Sequence, residues 1–426
     1  MSTETTYYDL VKPGGSDRVS IGVIDSNLDA IDTQFHSLDV QLASLDAYTS
    51  HLPPSSDKVF YVSRGASSDD SNTGLSWGDA FATFEEAAFR LSSSAGVICL
   101  GPGTHTVANT VALYTGTRVV GFHPLTTTLS KTTSGVMFSS VSDVSFHGIR
   151  FSVTTSPVFY GAYANCRWTS CRFNQTATDQ PIFDVTNFTF CGFDETCYFT
   201  HTTSATVPMF RGITPNNDIN ANFFRGTWTA SGNYAIWLES TGGGFTSGNT
   251  IDCDFEVCGA GCVKLLSASG TKIRAGVYDL SGATTRDLFS VGTSTAGGAA
   301  ASRFIEFNNV YRYGGSLGSN LVDIRIGAGT NSTLIIGVDK SSSGLSIDMG
   351  SRTGFIINPG SSTITNSGAC GTVNGYGMHC PPAGTTNAFG AATAYRAGTS
   401  WFNTSVGKPV WSNGTHWVDA AGTTVE

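Results

Sequence analysis

The chain has 426 residues, a formal net charge of −9, 50 glycines and 40% hydrophobic residues, with only 13% charged. That apolar content excludes a disordered chain, and an acidic balance without any basic run excludes nucleic acid as the expected partner. No stretch is long and apolar enough to span a membrane as a helix, and no secretory leader is read at the start, so membrane insertion is not expected.

Residues 1–20 are polar and contain Pro13, Gly14 and Gly15. Residues 21–52 then carry an apolar stripe of Ile21, Ile24, Leu28, Ile31, Phe35, Leu38, Leu42 and Leu45. The alternating three- and four-residue spacing puts all eight along one seam of a helix. With Ile21, Leu28, Phe35 and Leu42 as a positions, Ile24, Ile31, Leu38 and Leu45 are d. Isoleucine at d and leucine at a lean toward three or more strands. No second helix of this kind follows, so the expected partners are copies of the same chain. The flank carries Asp25, Asp32, Asp39 and Asp46 with no matching Lys or Arg, so charge pairing does not select the partner.

Pro53 and Pro54 end this region. Residues 57–94 predict a short strand, a turn-rich loop through Asp69 and Asp70, and a helix over 79–91 with Asp79 at its N-cap. From 95 to 366 the period changes. Short β-rich runs recur about every 26 residues between Gly, Ser, Asn and Thr turns. Val144-Ser-Phe146-His-Gly-Ile149-Arg-Phe151 and Cys166-Arg-Trp168-Thr-Ser-Cys171-Arg-Phe173 share one alternating pattern. One strand cluster per unit and no helix point to a β-solenoid, and this many units exceed one sandwich. Residues 367–426 predict a Gly/Pro-rich linker and then three aromatic strands, with Asn413-Gly414 as a hairpin turn.

Ten cysteines lack the close CxxC pairs of a zinc site, and several occupy apolar strand positions. They are read as reduced, buried hydrophobes. No metal or cofactor is called for.

Catalytic candidates come from one strand. In Ile251-Asp252-Cys253-Asp254-Phe255-Glu256 the apolar residues share one parity, which leaves Asp252, Asp254 and Glu256 on the opposite, outer face. Same-face neighbours lie about 7 Å apart, a carboxylate spacing with room for a water. Trp228, Tyr234, Trp237 and Glu239, one unit upstream, are the candidate sugar contacts. Outward acids that merely solvate a sheet are the alternative. Asp279, Glu306 and Asp323 are read as single outward acids in later units. No Arg shares a strand with an Asp cluster, which disfavours elimination chemistry.

Three stretches carry a resemblance. They are Tyr7-Tyr8-Asp-Leu-Val-Lys-Pro13 with Ile21-Gly-Val-Ile24-Asp-Ser-Asn27, then Tyr61-Val-Ser-Arg-Gly65 with Ala80-Phe-Ala-Thr-Phe84, and finally Gly407-Lys-Pro409-Val-Trp411 with Asn413-Gly414-Thr-His-Trp417. Together they resemble bacteriophage tailspikes and receptor-binding tail fibres with a pectate-lyase-like, right-handed β-helix. The resemblance implies a homotrimer carried on the virion tail and assembled in the host cytoplasm. It implies an N-terminus docked on a tail or baseplate protein, and a body that binds a bacterial surface polysaccharide. Two functions stay open at this point: a polysaccharide depolymerase of the glycoside hydrolase kind, or a non-catalytic adhesin or structural fibre.

Overall fold

The computed structural model describes residues 3–4, 11–12 and 58–202. Between 205 and 425 it describes the strands and all but some loops, the longest omitted being 279–286, 295–301, 314–320, 337–344 and 385–399. The chain divides into two units, 1–57 and 58–426. In the first, Thr3–Glu4 pairs antiparallel with Val11–Lys12. The heptad stripe from Ile21 to Leu45 lies outside the described residues.

The second unit opens with the strand Val59–Val62, a 3-10 turn at Trp77–Asp79 and the helix Phe84–Arg90. The helix begins later than its sequence suggests. Thr83, not Asp79, is the N-cap, and its hydroxyl accepts from the Glu86 amide at 3.2 Å. The Asp70 carboxylate explains the delay: it takes the Ala82 and Thr83 amides at 3.0 and 2.8 Å, which holds the chain extended up to Thr83. Phe84, Ala87 and Ala88 are the buried face of the helix, and they join the core cluster that runs on through the solenoid.

From Val97 onward the chain winds as a parallel β-solenoid with two long sheets, one of 20 strands and one of 13. Each rung pairs in parallel with the next, so identical positions stack along the axis. The stacking is visible in the core. Phe146, Trp168 and Phe193 form one in-register column, with ring centroids 6.0 and 4.9 Å apart. Phe151, Phe173, Phe199 and Trp228 form a second, at 5.2, 4.5 and 3.6 Å. Phe138, Phe159, Phe183 and Phe210 run up the facing sheet. Such columns bury large apolar areas at one strand spacing and add ring–ring contacts. At one corner Asn222 and Asn249 are fully buried. The Asn222 amide nitrogen donates to Asn249 Oδ1 at 2.9 Å and to the Phe188 carbonyl, which satisfies polar groups a bend would otherwise strand.

The rungs from Val97 to Phe199 split their share of the larger sheet into two short strands at a bend. Arg167–Thr169 and Arg172–Gln175, for example, are separated at Ser170, which has φ 49°. Three consecutive rungs do not split in this way. Phe223–Thr229, Thr250–Glu256 and Lys272–Tyr278 are seven-residue strands in nearly continuous register. The next rung bends again at Asn309, between Glu306–Asn308 and Tyr311–Tyr313. This local straightening creates one broad outer face.

Seven cysteines, Cys99, Cys166, Cys171, Cys191, Cys197, Cys253 and Cys262, are buried and unbridged. Burial pushes the Cys171 thiol up to about 12. A raised thiol pKa and an inaccessible sulfur both slow alkylation. Thiol titration should therefore be slow on the native chain and reach close to ten per chain in denaturant without reductant. A count short by an even number would show disulfides and overturn the reduced state.

Asp323 corrects the reading of outward acids. It is 1% exposed and pairs with the equally inward Arg312 at 3.1 Å. Near the C-terminus, Ser400–Asn403, Lys408–Ser412 and Trp417–Val418 form an antiparallel meander. Its last turn holds Asn413 and Gly414, and the Asn413 side chain accepts from the Thr415 and His416 amides.

Candidate functional site

The broad face of the three long strands forms the floor of an open groove of about 530 Å³. Its floor and walls include Arg225, Asp252, Asp254, Arg274, Gly276 and Tyr311, with Glu195 and Asn309 at the rim. Register explains the grouping. Asp252 stands between Arg225 on one neighbouring strand and Arg274 on the other. Asp254 stands between Thr227 and Gly276, and Glu256 between Thr229 and Tyr278. Ile251, Cys253 and Phe255 point inward and are buried, which turns the three acids outward.

The charges are unevenly shared. Arg274 lies 3.6 Å from Asp252, and Arg225 lies 3.7 Å from the exposed Glu195. The Asp254 carboxyl is raised above its ordinary range, chiefly by partial burial and secondly by Asp252, with Arg274 opposing. Gly276 makes room above it. A Cβ there would lie 2.6 Å from the Tyr311 hydroxyl and 2.8 Å from Asp254 Oδ1, so a side chain would force the two apart. The Tyr311 hydroxyl is hydrogen-bonded to that of Tyr278 at 2.5 Å. That bond is the main cause holding the Tyr278 phenol above its ordinary range. Tyr278 stacks on the exposed Tyr313, with centroids 5.4 Å apart, and so extends an aromatic ledge past Glu256. At Gly226, φ is +95° and a Cβ would meet the Cys197 carbonyl at 2.2 Å, so the wall beside Asp254 depends on glycine.

The other expected sugar contacts lie elsewhere. Trp228 is fully buried, stacked on Phe199 at 3.6 Å, and offers no face to a ligand. Its parity matches Phe224, and both point inward. Tyr234, Trp237 and Glu239 belong to the strand Tyr234–Ser240 of the other sheet, away from the three acids. There the Lys264 ammonium lies 3.6 Å over the Trp237 ring, and Glu239 is buried, accepting from the Trp237 indole at 3.0 Å and from the Ser294 hydroxyl. Of the acid trio, Asp252 and Asp254 line the groove, while Glu256 sits further along the same face. Arg225, Arg274, Tyr278 and Tyr311 were missed because they arrive from neighbouring rungs. The ground for disfavouring elimination falls with them, since arginines do stand beside the aspartates.

No protein-family model matches the sequence, and no curated protein matches it. Solved structures with a similar fold include the mannuronan C-5 epimerase A-module of Azotobacter vinelandii. It is 11% identical, covers 68% of this chain and 93% of that one, and has a TM-score of 0.35. Tailspike protein 3 of bacteriophage CBA120 is 12% identical over 86% of this chain and 70% of its own, with a TM-score of 0.30. A surface adhesin of Streptococcus pneumoniae is 9% identical over 68% and 86%, with a TM-score of 0.34. At these identities the likeness is one of architecture, and no residue assignment passes from them to this chain.

Proposed function

We propose that the outer groove binds a bacterial surface polysaccharide and cleaves it by general acid–base hydrolysis. The observation that carries this reading is the pairing of Asp252 and Asp254 on one strand at the floor of an open groove, with the Asp254 carboxyl raised by partial burial. Two carboxyl groups on one strand face about 7 Å apart leave space for a water between carboxylate and sugar, as inversion requires. Asp254 gives its proton to the glycosidic oxygen as the bond from the anomeric carbon breaks. Asp252 takes a proton from the water whose oxygen bonds to that carbon. Tyr311 and Tyr278 supply hydroxyls and ring faces at the groove's edge.

A second reading is favoured by the Arg274–Asp252 contact, which occupies the carboxylate that would serve as base. In that reading the groove holds sugar without cutting it, and the chain is an adhesin. Incubation with capsular and lipopolysaccharide preparations decides between the two. Reducing ends without an ultraviolet-absorbing product support hydrolysis. An unsaturated, absorbing product would replace hydrolysis by elimination. Binding to host cells without any release of sugar would leave the adhesin.

Attachment to a phage tail as a homotrimer belongs to the same proposal and rests on the seam from Ile21 to Leu45. Light scattering should give three times the 44.7 kDa chain mass. Ile31→Asp with Leu38→Asp would bury uncompensated charge in the seam at several kcal/mol per site and should lower that mass. A monomeric wild type would sink the trimer.

A further inference from the structure

The groove is one part of a longer track. Along one outward position of the larger sheet, Thr128, Arg150, Arg172, Tyr198, Thr227, Asp254, Gly276 and Tyr311 follow one another in unbroken register. Beside this column runs a second one of Ser152, Asn174, Thr200, Thr229, Glu256 and Tyr278. Upstream of the groove, Arg150, Arg172, Tyr198, Asn174 and Thr200 line a separate cleft of about 190 Å³.

The two arginines there are unusual. They are directly opposed on adjacent strands, about 4.8 Å apart in the hydrogen-bonding direction. Like charges so placed destabilise a sheet. Neither makes an ion pair with a carboxylate among the described residues. Arg211, by contrast, takes Asp184 with two hydrogen bonds, and Arg325 bridges Asp287 and Asp348. The Arg172 guanidinium lies 5.3 Å over the Tyr198 ring, which offsets part of the repulsion and fixes its plane. A fixed planar fork beside a second guanidinium, with amide and hydroxyl groups alongside, fits a planar or tetrahedral oxyanion.

We propose that Arg150, Arg172 and Tyr198 form a second subsite that takes an anionic substituent of a polysaccharide lying along the solenoid axis. The inference rests on the glycan reading of the groove. It adds that the glycan is acidic and that its chain runs across the rungs. Arg172 is three strand spacings from Asp254, or about 14 Å, so one oligosaccharide can reach both.

The test uses the full chain on immobilised acidic and neutral bacterial capsular polysaccharides. Three proteins are compared: wild type, Arg150→Ser with Arg172→Ser, and Asp254→Asn. Wild type should bind acidic polysaccharides only, more weakly as salt rises. The double arginine variant should lose at least about tenfold in affinity per arginine, as expected for charge-assisted hydrogen bonds. Asp254→Asn should keep the preference for acidic chains while losing cleavage. Carboxyl reduction and dephosphorylation of the bound polysaccharide identify which anion is read. Should the double variant lose its β circular dichroism, Arg150→Ser alone carries the test, because the Arg150 side chain makes no hydrogen bond or ion pair among the described residues. Unchanged acidic binding by the arginine variant, or equal wild-type binding to neutral chains, overturns the subsite and leaves the groove reading standing. A wild type that binds no polysaccharide overturns both.

Discussion

Trp168→Ala should lower the stability of the β-solenoid by about 3–5 kcal/mol, the range for truncating a large buried aromatic. Trp168 is completely buried and sits in the middle of the densest aromatic packing. It stacks between Phe146 and Phe193, meets Phe159 and Phe183 edge-on, and lies flat against Phe188. Five rings from both sheets would face the cavity, and the hydrogen-bonded strands above and below cannot close over it. In a solenoid each rung leans only on its neighbours, so the loss falls on the rungs that share this column. Trp168→Phe separates packing from polarity. The indole Nε1 is buried without a hydrogen-bond partner. Phenylalanine removes that orphan donor while keeping most of the ring contact, so its cost should be well below that of alanine. Denaturant midpoints of the two variants measure the difference. Equal losses would show that the ring column is not what holds these rungs.

The residues that can be read from the sequence are those whose role follows from parity alone. Ile251, Cys253 and Phe255 alternate with Asp252, Asp254 and Glu256, and the structure places the first set inside and the second outside. The recurring unit is legible for the same reason: inward aromatics must repeat once per rung. Trp228 was available by the same rule, since it shares parity with Phe224, but the neighbouring carboxylates made it look like a sugar platform. Tyr234, Trp237 and Glu239 could not be placed in this way. Between 229 and 234 the chain turns onto the other sheet, and a turn of uncertain length erases any claim about facing. The partners of the aspartates were hidden by register. Arg225 and Arg274 sit 27 and 22 residues from their in-register neighbour Asp252, Tyr311 sits 57 residues from Asp254 two rungs away in the same column, and rungs of unequal length give no way to count them together. The straightening of three rungs into one flat face is likewise a tertiary effect. It depends on which corner residues bend, and the bends use Ser170 and Asn309 as readily as glycine.

Asp254→Asn should reduce sugar release by about 10²–10⁴-fold, the usual contribution of a positioned proton donor. It should do so without loss of fold, because the Asp254 side chain points to solvent and not to the core. The pH profile makes the assignment specific. The folded-state carboxyl is raised, first by partial burial and then by the Asp252 charge. A donor acts only while protonated, so wild-type turnover should fall as pH rises through that raised value, and the limb should vanish in the residual activity of Asp254→Asn. Stability carries the matching sign. An acid whose folded-state pKa is raised adds stability that is fully present below its ordinary value and is lost as pH rises through the folded value. At neutral pH the native Asp254 therefore sits on the unfavourable side, and Asp254→Asn should be neutral or slightly stabilising there. Gly276→Ala probes the same geometry from the neighbouring rung. Its methyl would press on Asp254 Oδ1 and the Tyr311 hydroxyl together, so turnover should drop while polysaccharide binding through Arg150 and Arg172 persists. Full activity in both variants would place the chemistry outside this groove. Loss of activity with an unchanged alkaline limb would make Asp254 a binding residue and leave proton donation to another group.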